Sequence, residues 1–303
     1  MTDREKRNPE AVRGAAEGEP SEKNPDQEPI RSSGTRTAAG KPSQKNPDRE
    51  PIGSSGTRTA PDVSIVLPVF NEALSLPLLW DELGAVLEAS PWTAEVIFVD
   101  DGSTDGSADI VKKLQSGDPR VRLVRFTANA GLSAAFDAGL RRAAGRYVVT
   151  MDSDLQNDPA DIPRLLGHLD TFDVATGRRR RRRDPWLKRV SSRIANRVRN
   201  WATAEAIGDS ACSLRAMRRE CVADLPAFRG AHRFVPTLLR LAGHSVVEVD
   251  VEHRPRRFGI SHYGVRNRAW VAFQDLLAVR WMQRRRLRYE VVTEDETSRG
   301  TLR

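Results

Sequence analysis

The chain is poor in cysteine, in aromatic residues and in long apolar runs, and each shortage removes a class of explanation. Cys212 and Cys221, the two cysteines among 303 residues, cannot build a disulfide framework. Neither has a partner at metal-ligand spacing, and the pair suits a reducing, cytoplasmic setting. No stretch of eighteen or more apolar residues occurs, so no segment reads as a single membrane-spanning helix. The first twenty residues are polar and hold nothing like the apolar centre of a secretory leader. No Gly-x-Gly-x-x-Gly follows the first apolar run, which argues against a dinucleotide-binding enzyme.

Residues 1–61 lack Leu, Phe, Trp and Tyr altogether and are rich in Pro, Gly, Ser, Glu, Lys and Arg. Such a segment buries too little apolar surface to offset the entropy of ordering it, so it reads as a disordered tail. It contains a duplication: Ser21 to Ala38 recurs as Ser43 to Ala60 with a period of 22, and fifteen of eighteen positions match. Two polar copies without an apolar face do not make a solenoid; they read as a tether with no specific function.

Charge is abundant. The formal net charge is +8 and the pI is about 10.0, which points to anionic partners. The tail holds eleven Lys/Arg against ten Asp/Glu, so the surplus belongs to the rest of the chain, concentrated at 178–199 and 254–288.

From Val63 onward, short β-branched runs alternate with helical patterns. Val63 to Phe70, Ala94 to Val99, Val121 to Phe126 and Arg146 to Met151 read as strands. Leu74 to Ala89, Asp105 to Leu114 and Leu132 to Ala144 read as helices. That alternation predicts an α/β fold with a mostly parallel sheet and helices on both faces. In such sheets ligands bind beyond the carboxyl ends of the strands. Three polar clusters fall there: Asn71-Glu72, Asp100-Asp101, and Asp152-Ser153-Asp154.

Asp152 and Asp154 can approach one hard cation, and Mg²⁺ or Mn²⁺ typically takes one or two carboxylates plus substrate phosphates. Gln156 can add an oxygen, and Asp158 is near. The bland alternative is a polar loop capping the next helix. Asp100-Asp101-Gly102-Ser103-Thr104-Asp105 offers helix caps, and its further carboxylates suit a nucleobase or ribose. Pro68 is expected to stop the first strand, with Asn71 and Glu72 facing the crevice or capping a helix. Arg178 to Arg183 is a run of six arginines. It reads as a solvated loop or nucleic-acid patch, or as a segment that places one or two arginines on phosphates. His253 to Gly264 mixes arginine, glycine and aromatics as a basic loop able to close on an anion. His253 and His262 have no acidic partner between them and do not read as a zinc site. Trp270, Phe273, Leu277 and Trp281 share a helical face ahead of Arg284, Arg285, Arg286 and Arg288. Such a helix either lies in a membrane interface or packs on the domain.

Taken together, SIVLPVFNE (64–72), VDDGSTDGS (99–107), NAGLSAAFDAGLRRAAGRYVVTMDSDLQNDP (129–159) and HRPRRFGISHYG (253–264) resemble family 2 glycosyltransferases of the GT-A fold. The subgroup they resemble most is the dolichol-phosphate or polyprenol-phosphate mannosyltransferases. The likeness spans roughly 63–288. It implies a GT-A (Rossmann-like) domain over 62–264, followed by a basic amphipathic helix and tail over 265–303. It implies that Asp152, Asp154 and Gln156 hold Mg²⁺ or Mn²⁺ against a diphosphate. Asp101 or Asp100, with Glu72, Asn71 and the Pro68 turn, would meet the nucleoside. Arg178, Arg189 and one of Arg256 and Arg257 would touch phosphates. Asp209 and Arg215 would line the site, and Ser261 and Tyr263 would belong to the closing loop.

The resemblance also implies the reaction: transfer of one hexose, with inversion, from a nucleotide-sugar such as GDP-mannose or a UDP-sugar to a polyprenyl phosphate. A peripheral place on the cytoplasmic membrane face follows, because one amphipathic segment stands where many relatives have transmembrane helices. Ile260 stands where many relatives have Lys. The Gln-x-x-Arg-Trp signature of processive synthases is absent, since Leu277 precedes Arg280-Trp281. A sugar-hydroxyl acceptor would need Asp209 or Asp158 as base. A nucleic-acid-binding protein using the arginine run is disfavoured by the carboxylate-lined strand ends, and no nucleic-acid partner is expected.

Overall fold

A computed structural model describes residues 60–179, 208–210, 212–258 and 265–285, the side chains of 265–273 excepted. The expected disordered tail, the remaining arginines of 180–183, Arg189, Ser261 and Tyr263 lie outside the described residues.

Seven strands form one sheet: β1 Val63–Val69, β2 Ala94–Asp100, β3 Val121–Arg125, β4 Tyr147–Thr150, β5 Val174–Arg179, β6 Arg215–Arg218 and β7 Val246–Val251. Their order is β3-β2-β1-β4-β6-β5-β7. All pairings are parallel except those of β6, which runs antiparallel to both β4 and β5. Among the described residues the helices are α1 Leu76–Ala89, α2 Ser107–Gly117, α3 Leu132–Leu140, α4 Ile162–Gly167, α5 Val235–Ala242 and α6 Val265–Arg285.

The period-2 alternation of each strand sorts its side chains between two cores. On β1, Val63, Ile65, Leu67 and Val69 point to one face, where Leu76, Leu79, Leu83 and Leu87 of α1 and Ile162 and Leu165 of α4 cover them. Val66 points to the other face, with Ile97, Val99 and Val148, under Ala135, Phe136 and Leu140 of α3 and Leu239 of α5. Burying a leucine of this kind stabilises the fold by roughly 2 kcal/mol, so the four α1 leucines alone anchor that helix.

One expectation is corrected. Pro68 does not end its strand: β1 continues to Val69, paired with Asp100, while its pairing with β4 stops at Val66↔Thr150. Proline is tolerated because the β4 side of the ladder has already ended. The apolar stripe of α6, open between an interfacial and a packed reading, is divided. Leu277 and Trp281 are exposed, 50% and 62%, whereas Leu276 and Val279 are buried against Phe234 and Leu238. One face of α6 therefore packs on the domain and another faces outward.

Candidate active site

The carboxyl ends of β1, β2 and β4 lie side by side, and hydrogen bonds knit the three following loops together. The loop after β2 holds the loop after β1. Ser103 Oγ accepts from Asn71 N at 3.0 Å, Ser107 Oγ from Glu72 N at 2.9 Å, and Asp105 Oδ2 from Ala73 N at 2.9 Å. Asn71 itself sits at φ 54°, a left-handed conformation asparagine tolerates, and its Oδ1 accepts from Thr104 N at 2.9 Å. Gly102 is required where it stands: at φ +74°, a Cβ there would come within 2.7 Å of the Ala128 backbone.

Asp100 and Asp101 differ from a freely exposed pair. Asp100 is fully buried; its Oδ1 accepts from Ser103 N at 3.0 Å and its Oδ2 lies 3.1 Å from Arg125. Asp101 accepts from Ala130 N at 2.6 Å and Gly131 N at 2.9 Å, which places its charge at the start of α3. Asn129 Nδ2 adds a third donor at 3.0 Å.

The loop after β4 carries Asp152, Ser153 and Asp154. Ser153 Oγ donates to the Pro68 carbonyl at 2.7 Å and anchors the loop to β1. Leu155 is held at φ 64°, and its side chain is buried. A non-glycine residue there costs about 1–2 kcal/mol, so packing enforces a tight turn directly after Asp154. The turn lets Asp154 Oδ1 accept from Gln156 N at 3.1 Å.

Burial pushes the Asp152 carboxyl up to about 6, and the charge of Asp154 adds to the rise; a Ser213 hydrogen bond, Arg215 and Arg179 oppose it. Burial also raises Glu72, with Asp154 and Asp105 adding and Ser75 and Arg256 opposing. Burial thus outweighs the cationic neighbours of both carboxylates. Arg256 Nη2 lies 2.9 Å from Glu72 Oε1 and 3.2 Å from Asp154 Oδ2. Its neighbour Arg257 is exposed.

Donor chemistry here fits a hard divalent cation. Asp154 is close enough to Asp152 to raise its cost of ionisation, and both present oxygen. Among the described residues no three His, Cys, Asp or Glu side chains gather as a cage. Two carboxylates would hold such an ion, and phosphate oxygens of a ligand would complete its shell. Gln156 is tied in through its backbone, donating to Asp154 and accepting from Arg254 N at 2.9 Å.

The other expected residues are engaged with protein partners. Arg178 pairs with Asp250 at 2.5 Å. Asp209 is buried and receives Arg179 in a two-pronged contact at 2.6 and 2.8 Å. Arg215 is buried, donates to the Ser210 carbonyl at 2.9 Å, and burial lowers its affinity for its proton. Its charge, with that of Arg179, faces Asp152 from β6 and β5. Cys212, its thiol pushed up to about 12 by burial and by Asp209, is inert packing.

Arg254 carries no distinct signal within the His-Arg-Pro-Arg-Arg run, yet it fastens the site. It spans Glu82 on α1 at 2.7 Å and Asp158 at 2.6 Å. Beside it Asn157 and His253 form a β-bridge, and Asn157 Nδ2 donates to Ser213 Oγ at 2.9 Å.

Residues 64–225 match the family model described as glycosyl transferase family 2. The chain belongs to that family. It is 36% identical over 203 residues to undecaprenyl-phosphate 4-deoxy-4-formamido-L-arabinose transferases of Salmonella paratyphi A and Salmonella dublin. The match covers 66% of this chain and 62% of those relatives, so the chain spans under two thirds of their length. Among solved structures, mannosyl-3-phosphoglycerate synthase from Rubrobacter xylanophilus is similar, with a TM-score of 0.59 at 18% identity over 78% of this chain and 79% of that one. Glucosyl-3-phosphoglycerate synthase from Mycobacterium tuberculosis, solved with Mn²⁺ and UDP-glucose, gives a TM-score of 0.54 at 20% identity over 74% and 79%. At these identities the two structures establish the shared GT-A architecture of this family 2 domain.

Proposed function

We propose that this protein transfers one sugar from a nucleotide-sugar to a polyprenyl phosphate, with inversion at the anomeric carbon. The observation that carries the reading is the cluster of carboxylates at the carboxyl ends of the strands, with Asp152 beside Asp154 and the Arg256 guanidinium between Asp154 and Glu72. Two carboxylates suit Mg²⁺ or Mn²⁺ carrying a diphosphate. When bound, that ion supplies charge neutralisation for the departing nucleotide.

The chain's own residues do the rest. Asp152 and Asp154 hold the ion. The cross-linked loops of Asn71, Glu72 and Asp101 form the floor for the nucleoside. Arg256 supplies a positive charge toward phosphate oxygens. Acceptor chemistry is supported by what is tied up. Asp209 is locked against Arg179 and Asp158 against Arg254, so neither suits the task of taking a hydroxyl proton. A lipid phosphate is already anionic and needs no such base. The relatives named for undecaprenyl phosphate support the same acceptor class.

Membrane contact belongs to the same reading. No helix among the described residues is long and apolar enough to cross a membrane. On α6, Leu277 and Trp281 are exposed, with Arg284 and Arg285 exposed on the same side a turn later. Tryptophan with flanking arginines suits the interface of an anionic bilayer, at the cytoplasmic face where the donor would be available.

Turnover with GDP-mannose, UDP-glucose and UDP-GlcNAc, each with Mg²⁺ or Mn²⁺ and either a polyprenyl phosphate or free sugar acceptors, tests the reading. Sugar–lipid formation with one donor is the expected outcome. Transfer to sugar hydroxyls alone, or nucleotide release with no lipid phosphate, would overturn the acceptor assignment.

A further inference from the structure

Asp154 has two carboxylate oxygens, and both are taken. Oδ1 accepts the Gln156 N–H at 3.1 Å, and Oδ2 faces Arg256 Nη2 at 3.2 Å. The same Nη2 lies 2.9 Å from Glu72 Oε1. A guanidinium therefore stands against the oxygen that a cation at Asp154 would use. We propose that Arg256 is a resident counter-ion which a divalent metal must displace from Asp154, and that its release onto the donor's diphosphate couples metal binding to donor binding. This rests on the metal assignment made above and adds to it a rule for the order of assembly.

Three further features support the exchange. Arg256 is poorly satisfied in its resting place: its Nε is buried and has no hydrogen-bond partner. A pose that leaves a buried donor unpaired is readily given up for one that pairs it.

The segment that carries Arg256 is pinned just upstream and free of regular structure at Arg256 itself. His253 bridges Asn157, Arg254 N donates to the Gln156 carbonyl, and the Arg254 guanidinium spans Glu82 and Asp158. Pro255 and Arg257 on either side of Arg256 are exposed. The side chain can swing while its base stays registered to the metal loop.

The charges favour the exchange only when an anion arrives. A divalent ion and a guanidinium on one carboxylate repel each other, so the metal alone binds against Arg256. A diphosphate brings oxygens that pair with guanidinium in a matched geometry. Glu72 remains beside Arg256 throughout. Each ligand then strengthens the other by the same factor, as linkage requires. Without metal and donor, Arg256 neutralises Asp154 and Glu72, which would otherwise be carboxylates drawn out of water with no counter-charge.

Mn²⁺ titration of the full chain, followed by electron paramagnetic resonance of the free ion, reads this directly. It is run with and without GDP or UDP. Wild type is expected to bind Mn²⁺ weakly alone and at least about tenfold more tightly with the nucleotide that fits. Arg256→Gln is expected to bind Mn²⁺ alone about tenfold more tightly than wild type, with a smaller gain from nucleotide. Arg256→Lys keeps the positive charge and is expected to stay within about twofold of wild type; it also serves if the glutamine variant fails to fold, since a tenfold tightening in Lys would contradict displacement of a cation. Mn²⁺ affinity in Arg256→Gln equal to or below wild type overturns the proposal. Asp154→Asn separates the two layers. Mn²⁺ binding that persists undiminished in Asp154→Asn defeats the metal assignment, whereas binding that depends on Asp154 but ignores Arg256 defeats only the exchange.

Discussion

Buried carboxylates lie at both ends of this sheet, and they are treated in opposite ways. At the amino ends of the strands, Glu95 on β2 is 7% exposed and accepts from Ser64 Oγ at 2.6 Å, Ala144 N at 2.7 Å and Arg122 Nη1 at 2.5 Å. Burial alone would raise it, but the bonds from Ser64, Ala144 and Arg122 prevail and hold it below the usual carboxylate range. At the carboxyl ends, Asp152 and Glu72 are raised by the same burial, and their hydrogen bonds and neighbouring arginines do not compensate. The backbone follows suit, since both non-glycine residues with positive φ among those described, Asn71 and Leu155, stand at the carboxyl end. One end spends its polar groups on stability; the other withholds partners and stores strain, which is where a ligand of opposite charge gains most.

The comparison breaks first at activity. Asp154→Asn should lower kcat by about a thousandfold or more, of the order seen when a positioned charge in a reaction centre is lost, while circular dichroism and the melting curve stay near wild type. A variant with full turnover would remove the carboxyl end from the chemistry. The next effect is on stability and carries opposite signs at the two ends. Glu95→Gln should cost about 2 kcal/mol in urea unfolding, because buried hydrogen bonds to a charged group are weakened. Asp152→Asn, in protein stripped of metal at neutral pH, should gain roughly 1–2 kcal/mol. A carboxyl whose value rises from 3.8 to about 6 is ionised at a cost in the fold. Equal losses from both variants would mean that the two ends are not differently built.

How much of this contrast the sequence carried depends on the distance over which the partners lie. The strands were legible because β-branched runs and period-2 burial are local, and the three acidic clusters were legible because each directly follows a strand. Asp152, Asp154, Glu72 and Arg256 could be picked out as a group only through the topology rule and the family resemblance. The Glu95 network could not, since Ser64, Arg122 and Ala144 come from three separate segments of the chain and none bears a motif. The resemblance implies a phosphate role for Arg178, and its ion pair with Asp250 of β7 could not be seen in advance, because sequence spacing does not reveal that β5 and β7 are neighbours. The same limit left α6 open between two readings. A stripe of Trp270, Phe273, Leu277 and Trp281 is visible at helical spacing, but whether Leu277 or Leu276 is covered depends on Phe234 and Leu238 elsewhere in the chain. Pro68 was read by its local rule and escaped it because β4 is short.

The smallest effect is a pH dependence, and it isolates Glu95 from everything at the other end. Its carboxyl is held below 4.5, so the fold favours the ionised form. A group depressed in this way contributes stability that is fully present above the unfolded value of about 4.5 and is lost as pH falls through the folded value. The stability difference between wild type and Glu95→Gln should therefore be flat from pH 8 to about pH 5 and shrink below 4.5. Because a difference between two proteins is read, titrations elsewhere that are common to both cancel. Urea midpoints at constant ionic strength, with chelator present, supply the curve. A gap that widens on acidification would mean that burial outweighs the three hydrogen bonds, and the amino end would then be built like the carboxyl end.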